Sequence, residues 1–201
     1  MVSIKRWPSE LQVIDLFETT QAEDFFWQLT MQLLGYDPAA FNDPDNPPAC
    51  MPVRVSWPTT GAPAWKITEN VVFIRLILHE DDDYARQIDS IYKPEPGTVI
   101  KQSARTRVWD VQFVAYGPDA QTAVTQIKDG VFRQDIKRLL SANSVFLIPN
   151  LPPCRRVPEL FAGQWWNRWD GRLYFNELHR LPDEDVGRIE SVSIKTHTDR
   201  R

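Results

Sequence analysis

Apolar residues recur at two different spacings along the chain, and the first segment has the spacing of a helix. Thr20 and Glu23 stand three residues apart, which is the arrangement of a capping box at a helix start. Gly35 is a typical residue just after a helix end. The apolar positions between them fall on one helical face: Ala22, Phe25, Phe26, Leu29 and Leu33. The pattern predicts a short amphipathic helix.

Alternation of apolar and polar residues predicts strands further along. The segment from Val71 to His79 is apolar on both faces apart from Arg75, which indicates a central strand covered on both sides. The segment from Arg107 to Tyr116 alternates most regularly. Three more strands are expected at Val145 to Ile148, Trp165 to Leu178 and Arg188 to Thr196, with Gly171 as a candidate bulge and turn residues at 182–185.

A second helix is expected directly after Tyr116, because Gly117-Pro118-Asp119 has the residues of a helix start. Its first apolar stripe consists of Ala120, Val124, Ile127 and Val131, and after Gly130 the stripe shifts to Phe132, Ile136, Leu139 and Leu140. Either the helix bends at Gly130, or its second half packs against a different surface.

Long connections separate these elements. The prolines of 37–63 exclude regular helix there and leave room for a short edge strand at Val53 to Trp57. Residues 149–158 form a second proline-rich loop. The segment from Glu80 to Ala104 has no clear period, and we interpret it as a long excursion that reaches beyond the domain. A β-hairpin arm is one structure that would fit it.

The order of elements predicts one α+β domain over residues 1–201, with a mostly antiparallel sheet packed against helices. Within it we expect an N-terminal helical segment (1–36), a proline-rich loop (37–65), a sheet and helix core (66–197) and a tail (198–201).

Composition narrows the possible functions. Of the 201 residues 42% are hydrophobic, and the net charge is −4. The composition is typical of a globular protein, and the charge argues against a general nucleic-acid binder. Neither a signal peptide nor an apolar run of membrane-spanning length is apparent, so we expect synthesis in a reducing cytoplasm and no membrane partner. Cys50 and Cys154 lack the spacing of a zinc site.

Few residues suggest catalysis. The acidic run Glu80, Asp81, Asp82 and Asp83 would suit magnesium or manganese, but neighbouring carboxylates on one strand rarely converge on an ion, so a solvated turn is favoured. No nucleotide-binding or nucleophile motif accompanies the three histidines. We therefore expect no catalytic residue, no cofactor and no metal, with a metal-dependent enzyme using 80–83 as a weaker alternative.

Aromatic residues and arginines suggest an interface instead. The tryptophans near residue 165 would either stack on single-stranded nucleic acid or pack in a core or protein interface, and the net charge favours the latter. The candidate interface residues lie in the excursion and in the tryptophan-rich strand: Tyr84, Ile88, Ile91, Tyr92, Trp165, Trp166, Arg168 and Trp169.

Short motifs in order along the chain resemble one family. They are Arg54-Val55-Ser56-Trp57-Pro58, Gly61-Ala62-Pro63-Ala64-Trp65, Asn70 to Ile74, Val111 to Gly117, Trp169 to Leu173 and Ile189 to Ile194. From about Val53 to Thr196 the chain resembles the neck or tail terminator proteins of tailed bacteriophages.

The resemblance implies a structural virion protein of the tail and neck region. Such proteins form a ring, usually a hexamer, that caps the tail tube at its final length and offers a docking surface to the head-side connector or stopper. DNA passes through only as cargo, and Glu80, Asp81, Asp82 and Asp83 are candidates to face that lumen. Another neck or tail component, such as a head–tail stopper or a baseplate protein, is the alternative from the same machine.

Overall fold

The computed structural model describes residues 19–41, 52–56, 65–79 and 88–186. Within these ranges the α-helices are α1 (Thr19–Leu33), α2 (Ala120–Gly130) and α3 (Gln134–Ala142), with a single 3-10 turn at Pro38–Phe41. The strands are β1 (Val53–Val55), β2 (Val71–His79), β3 (Asp89–Glu95), β4 (Thr98–Tyr116), β5 (Val145–Ile148), β6 (Arg155–Arg156), β7 (Glu159–Phe161), β8 (Gln164–Trp166), β9 (Arg168–Arg180) and β10 (Glu184–Asp185). The predicted α+β class is confirmed.

The main sheet is built around β4, its 19-residue central strand. The path β1-β2-β4-β9-β5 is antiparallel except for the parallel pair β1 and β2. On one side of β4, β2 pairs with its C-terminal half and β3 with its N-terminal half. On the other side β9 continues to Ala104, and β10 pairs beyond it at Ile100 and Lys101. The strands β7 and β8 form a separate hairpin.

Alternate residues of β4 point to two different faces of this sheet. Odd-numbered positions such as Val111, Phe113 and Ala115 are fully buried, and α1 and α2 pack over them. We call this the helix face. Even-numbered positions such as Gln112 and Val114 are only half-buried, and we call their side the open face. The prediction that β2 is covered on both sides is therefore wrong at Arg75, which is exposed on the open face.

The helix face holds the core. The predicted helix α1 is confirmed, with Phe26 packed against Phe175 of β9 at 5.0 Å between ring centroids. The Trp27 indole donates a hydrogen bond to the carbonyl oxygen of Val53 at 2.9 Å, which ties α1 to the edge strand β1. Gln126 of α2 donates to the carbonyl oxygen of Leu33, so the two helices are joined to each other as well.

A buried ion pair closes the helix face where the sheet narrows toward the arm. Arg107 and Glu177 are register partners on β4 and β9, and the Arg107 Nη2 donates to both carboxylate oxygens at 2.8 and 3.0 Å. The indole of Trp109 donates to the same carboxylate. The Glu177 side chain is only 3% exposed, so its charge depends on these partners.

The expected helix after Tyr116 is in fact two helices. After Gly130 the backbone makes two tight turns, and Arg133 then adopts an extended conformation before α3 begins. The shift of the apolar stripe reflects this break, since Val131 ends the first buried row while Ile136 and Leu140 form the second. Phe132, which was expected in that second row, is exposed.

Gly171 does not mark a bulge. The pairing of β9 with β4 runs through Gly171 opposite Phe113 without interruption. A Cβ at this position would lie 2.5 Å from a methyl carbon of Val124, so glycine is needed because α2 packs directly on β9. The predicted strand from Trp165 is likewise two strands, because β8 ends at Trp166 and β9 begins at Arg168.

The predicted excursion contains a β-hairpin, which we call the arm (88–104). Pro96 and Gly97 form its two-residue turn, in which Gly97 has a φ of +85°, as the second central position of a type II turn requires. All seven residues of β3 are exposed. Residues 184–185 were expected in a turn but form β10, because they pair with the arm. The strand predicted at 188–196 lies outside the described residues.

Candidate interaction surface

The open face presents rows of side chains across three strands. Arg75, Gln112 and Arg172 form one row, and Phe73, Val114 and Asp170 form the next. Asp110 is buried in this face although it is charged. Gln112 donates to one of its oxygens at 3.0 Å, and the Arg172 Nε lies 3.1 Å from the other without the alignment of a hydrogen bond. The face is therefore polar and locally neutralised rather than an ordinary apolar layer.

An aromatic cluster covers the open face at the end where β4 finishes. Trp65 is its centre, with ring centroids 5.0 Å from Phe73, 5.6 Å from Tyr116 and 5.7 Å from Trp166. Arg54 lies over the Trp65 ring at 5.9 Å, a distance at which a cation is attracted to the ring. The four rings join β2, β4 and the β7–β8 hairpin, so they fix the position of that hairpin on the sheet.

A network of charged groups holds the same hairpin. The Tyr116 hydroxyl donates to Glu159 Oε2 at 2.6 Å, and Arg168 Nη1 donates to the same oxygen at 3.2 Å. Arg168 also donates two hydrogen bonds to Asp170, at 2.7 and 2.9 Å. Burial and the hydrogen bond to Glu159 raise the pKa of Tyr116 to about 12. The hydrogen bond from Tyr116 lowers the pKa of the Glu159 carboxyl.

The β7–β8 hairpin has an inner and an outer side. Ala162 and Gly163 both have positive φ at its turn, as a type I′ turn requires. Trp166 faces the cluster, and Phe161 lies beside it at 6.2 Å between ring centroids but is itself 64% exposed. Leu160 and Trp165 are opposite each other across the hairpin and point outward, 58% and 67% exposed. A pair of large apolar side chains in water is typical of a contact surface.

The arm forms a second exposed feature at the opposite end of β4. A groove of about 330 Å³ lies on the open face here, between β3 and the end of β9. Ile91 and Leu178, 59% and 39% exposed, lie in its wall. Asp183 borders it, and the side chains of residues 183–185 accept hydrogen bonds from Gln102, Lys101 and Thr98 of the arm. These bonds fix the acidic segment to the arm.

Between the two ends lies a basic groove of about 550 Å³ under the second proline-rich loop. Arg75, Arg155, Arg168 and Arg172 contribute to its lining, against the single carboxylate of Asp170 among the described residues. The chain as a whole is acidic, so this concentration of arginine is local. Pro152 and Pro153 form its opposite wall.

Comparison with known families identifies the chain. The profile of a family described as phage neck terminator protein matches residues 41–200. The chain belongs to this family. It is a structural component of the phage neck or tail, which implies a place in the virion. No curated protein matches the chain.

The match to the phage neck terminator family contains the whole sheet, α2 and α3 and begins after α1. Both the arm and the β7–β8 hairpin lie inside the matched range. The surface features of the open face are therefore built on the part of the chain that defines membership, whereas α1 contributes to the core beneath it.

The predicted interface residues of the chain occupy different environments. Ile88, Ile91 and Tyr92 are exposed on the arm, and Trp165 is exposed on the hairpin. Trp166 and Arg168 are engaged in the aromatic cluster and its charged network, and Trp169 packs against the core. Tyr84 and the lumen candidates Glu80, Asp81, Asp82 and Asp83 lie outside the described residues.

Sequence reasoning missed most of the aromatic cluster. Trp65, Phe73 and Tyr116 were assigned to a loop and to ordinary strand positions, because nothing local shows that they meet. Glu159 gave no signal either. The Ala162-Gly163 pair between two short apolar segments was the one available indication of a hairpin.

Two negative findings apply to the described ranges alone. Within them, no three His, Cys, Asp or Glu side chains are grouped as a metal site would require. No helix among them is both long and apolar enough to cross a membrane. Cys154 is a free thiol whose pKa is raised by burial, and Cys50 lies outside the description.

Proposed function

We propose that the protein is a tail terminator that assembles into a ring of copies, most simply a hexamer, on the end of the tail tube. The ring stops tube growth at the final length and offers its other side to the head-side connector or stopper protein. Family membership over residues 41–200 supports a neck role. The observation that carries the proposal is the open face, whose two ends each expose large apolar side chains.

A ring subunit needs contacts with neighbours on two sides and with other proteins above and below. The arm and the β7–β8 hairpin supply two such surfaces, joined by the long strand β4. From Ala104 to Tyr116 this strand spans about 40 Å at roughly 3.3 Å per residue. Because β9 pairs with every residue of this span and β2 pairs with its part from Val108 to Tyr116, β4 keeps the two surfaces at a fixed separation.

The role is structural rather than catalytic. DNA would pass the ring as cargo, and the net charge of −4 would limit adhesion of the duplex. The acidic run 80–83 is the proposed lumen-facing segment. We also propose that Ile88, Ile91, Tyr92 and Trp165 make contacts between proteins, together with Tyr84, Trp166, Arg168 and Trp169 where assembly exposes them.

The test is to add purified protein to growing tail tubes of the same phage and to image the products by electron microscopy. We expect one ring at a tube end and no further growth of capped tubes. Phage lacking the protein should accumulate tubes of uncontrolled length.

Binding only to the head-side connector, with tube growth unaffected, would assign the protein to the stopper class instead. Binding only at the baseplate end would assign it to that structure. Either outcome would refute the terminator proposal while leaving family membership intact.

A further inference from the structure

The two exposed apolar surfaces lie at opposite ends of the open face and differ in shape. The hairpin end projects, with Leu160 and Trp165 on the outer side of a two-stranded hairpin. The arm end is concave, with Ile91 and Leu178 in the wall of the groove. A projecting surface and a concave one at opposite ends are what repeated head-to-tail contact between identical copies requires.

The charges around the two surfaces are complementary. Residues 154–170, which contain the hairpin and Asp170, the partner of Arg168, carry three arginines and two carboxylates, for a formal net charge of +1. Residues 88–104 and 178–186, which surround the groove, carry five carboxylates and three cations, for a net charge of −2. Arg155 and Arg156 beside the hairpin are exposed, and so are Asp183 in the groove wall and the two acidic residues that follow it in β10. Opposite charge would orient the two ends toward each other.

The size of the groove also suits the hairpin. Its volume of about 330 Å³ is at the lower end of the range, about 300–1,000 Å³, that holds small ligands. An indole with a neighbouring leucine side chain is an occupant of that scale. Both surfaces are held in place by contacts within the chain. The aromatic cluster fixes the hairpin, and the hydrogen bonds to 183–185 fix the groove wall.

We infer that the outer side of the β7–β8 hairpin of one copy inserts into the arm groove of the next copy. This inference rests on the proposed ring and names the surfaces that build it. The contact is heterologous, so each copy uses its hairpin toward one neighbour and its groove toward the other. Trp165 is the central residue of the projecting side, and Ile91 is its counterpart in the groove.

The experiment uses two variants that are each defective at one end. The hairpin variant is Leu160→Ser with Trp165→Ser, and the groove variant is Ile91→Ser with Leu178→Ser. All four side chains are at least 39% exposed, so the changes leave the core intact. Phe132→Ser, on the helix side and 44% exposed, is the matched control. Mass is measured by size-exclusion chromatography with light scattering, and folding by circular dichroism.

The wild-type chain and the Phe132→Ser control should form rings, while each double variant alone should have the mass of a monomer. An equimolar mixture of the two variants should give a species of twice the monomer mass and nothing larger. In that mixture one intact hairpin meets one intact groove, and the ends that remain are both defective.

Rings from either double variant, or a mixture that stays monomeric, would overturn this inference and leave the ring itself standing. A wild-type chain that remains monomeric would overturn both the ring and the contact. As a check independent of serine substitution, Trp165→Cys and Ile91→Cys variants mixed under oxidising conditions should give a covalent dimer that neither variant gives alone. Absence of that dimer between folded variants would likewise count against the contact.

Discussion

The helix face and the open face of the same sheet differ in the burial and the polarity of their side chains. On the helix face, alternate residues of β4 and β9 are apolar and buried under α1 and α2, and the buried carboxylate of Glu177 is held by Arg107 and Trp109. On the open face, charged and polar residues are mixed with aromatic ones, and many are half-exposed. Stability therefore comes mainly from one face, and the other is left available for partners.

The difference shows how one long strand serves two purposes. Because successive side chains of β4 point to opposite faces, each face can be altered with little effect on the other. Substitutions on the helix face should lower the free energy of unfolding without changing which proteins the folded chain binds. Substitutions on the open face should leave that free energy nearly unchanged and alter assembly.

The largest expected effect is on the helix face, at Phe175. Its side chain is fully buried against Phe26, so Phe175→Ala should cost about 3–5 kcal/mol of unfolding free energy through lost burial and the cavity left behind. The open-face counterpart is Phe146, which is 50% exposed, and Phe146→Ala should cost less than about 1 kcal/mol. Urea denaturation at a concentration where the chain is monomeric measures both. Equal losses at the two positions would mean that the faces do not differ as described.

A smaller but still large effect is expected from the buried ion pair. Glu177→Gln keeps the shape of the side chain but removes the charge opposite Arg107, which should cost about 3 kcal/mol. Adding Arg107→Met to it should recover part of the loss, because the cation is then also gone. On the open face, Asp170→Asn beside Arg168 should cost no more than about 1 kcal/mol, since that pair is partly solvated. The same denaturation experiment ranks the three variants, and a larger loss at Asp170 than at Glu177 would reverse the comparison.

The sequence predicted the helix face better than the open face, for a physical reason. The strands β2 and β4 and the helix α1 are visible as periods of two and 3.6 residues, because burial on one side imposes a repeating pattern. Gly171 was misread because its role depends on α2 packing over β9, and that contact is set by tertiary structure rather than by neighbours in sequence. The break between α2 and α3 at Gly130 was visible in the sequence only as a shift of the apolar stripe.

The open face depends on contacts between distant parts of the chain. Trp65 and Trp166 are about a hundred residues apart, and they meet only because β2, β4 and β9 are adjacent in the sheet. The arm was visible as part of the segment from Glu80 to Ala104, which has no clear period, and the exposed Trp165 as part of a surplus of aromatic residues. What the sequence alone could not give was their position at opposite ends of β4.

The smallest expected effect tests the charged network that holds the β7–β8 hairpin. Tyr116→Phe removes the hydrogen bond to Glu159, which should cost about 0.5–1 kcal/mol at neutral pH, because the pair is partly exposed. Tyr92→Phe on the arm, 61% exposed, is the control and should cost nothing measurable.

The stability difference between wild type and Tyr116→Phe should depend on pH, because both partners of the hydrogen bond titrate. Folding raises the pKa of Tyr116 from 10.0 to about 12, so its contribution is complete below pH 10.0 and is lost as the pH rises toward 12. The pKa of Glu159 is lowered from 4.5, so its contribution is present above that value and is lost as the pH falls through the folded-state pKa. The stability gap between wild type and Tyr116→Phe should therefore narrow at both extremes of pH. A gap near zero at neutral pH would show that Tyr116 acts through ring packing in the aromatic cluster, which Tyr116→Phe retains, and not through its hydroxyl.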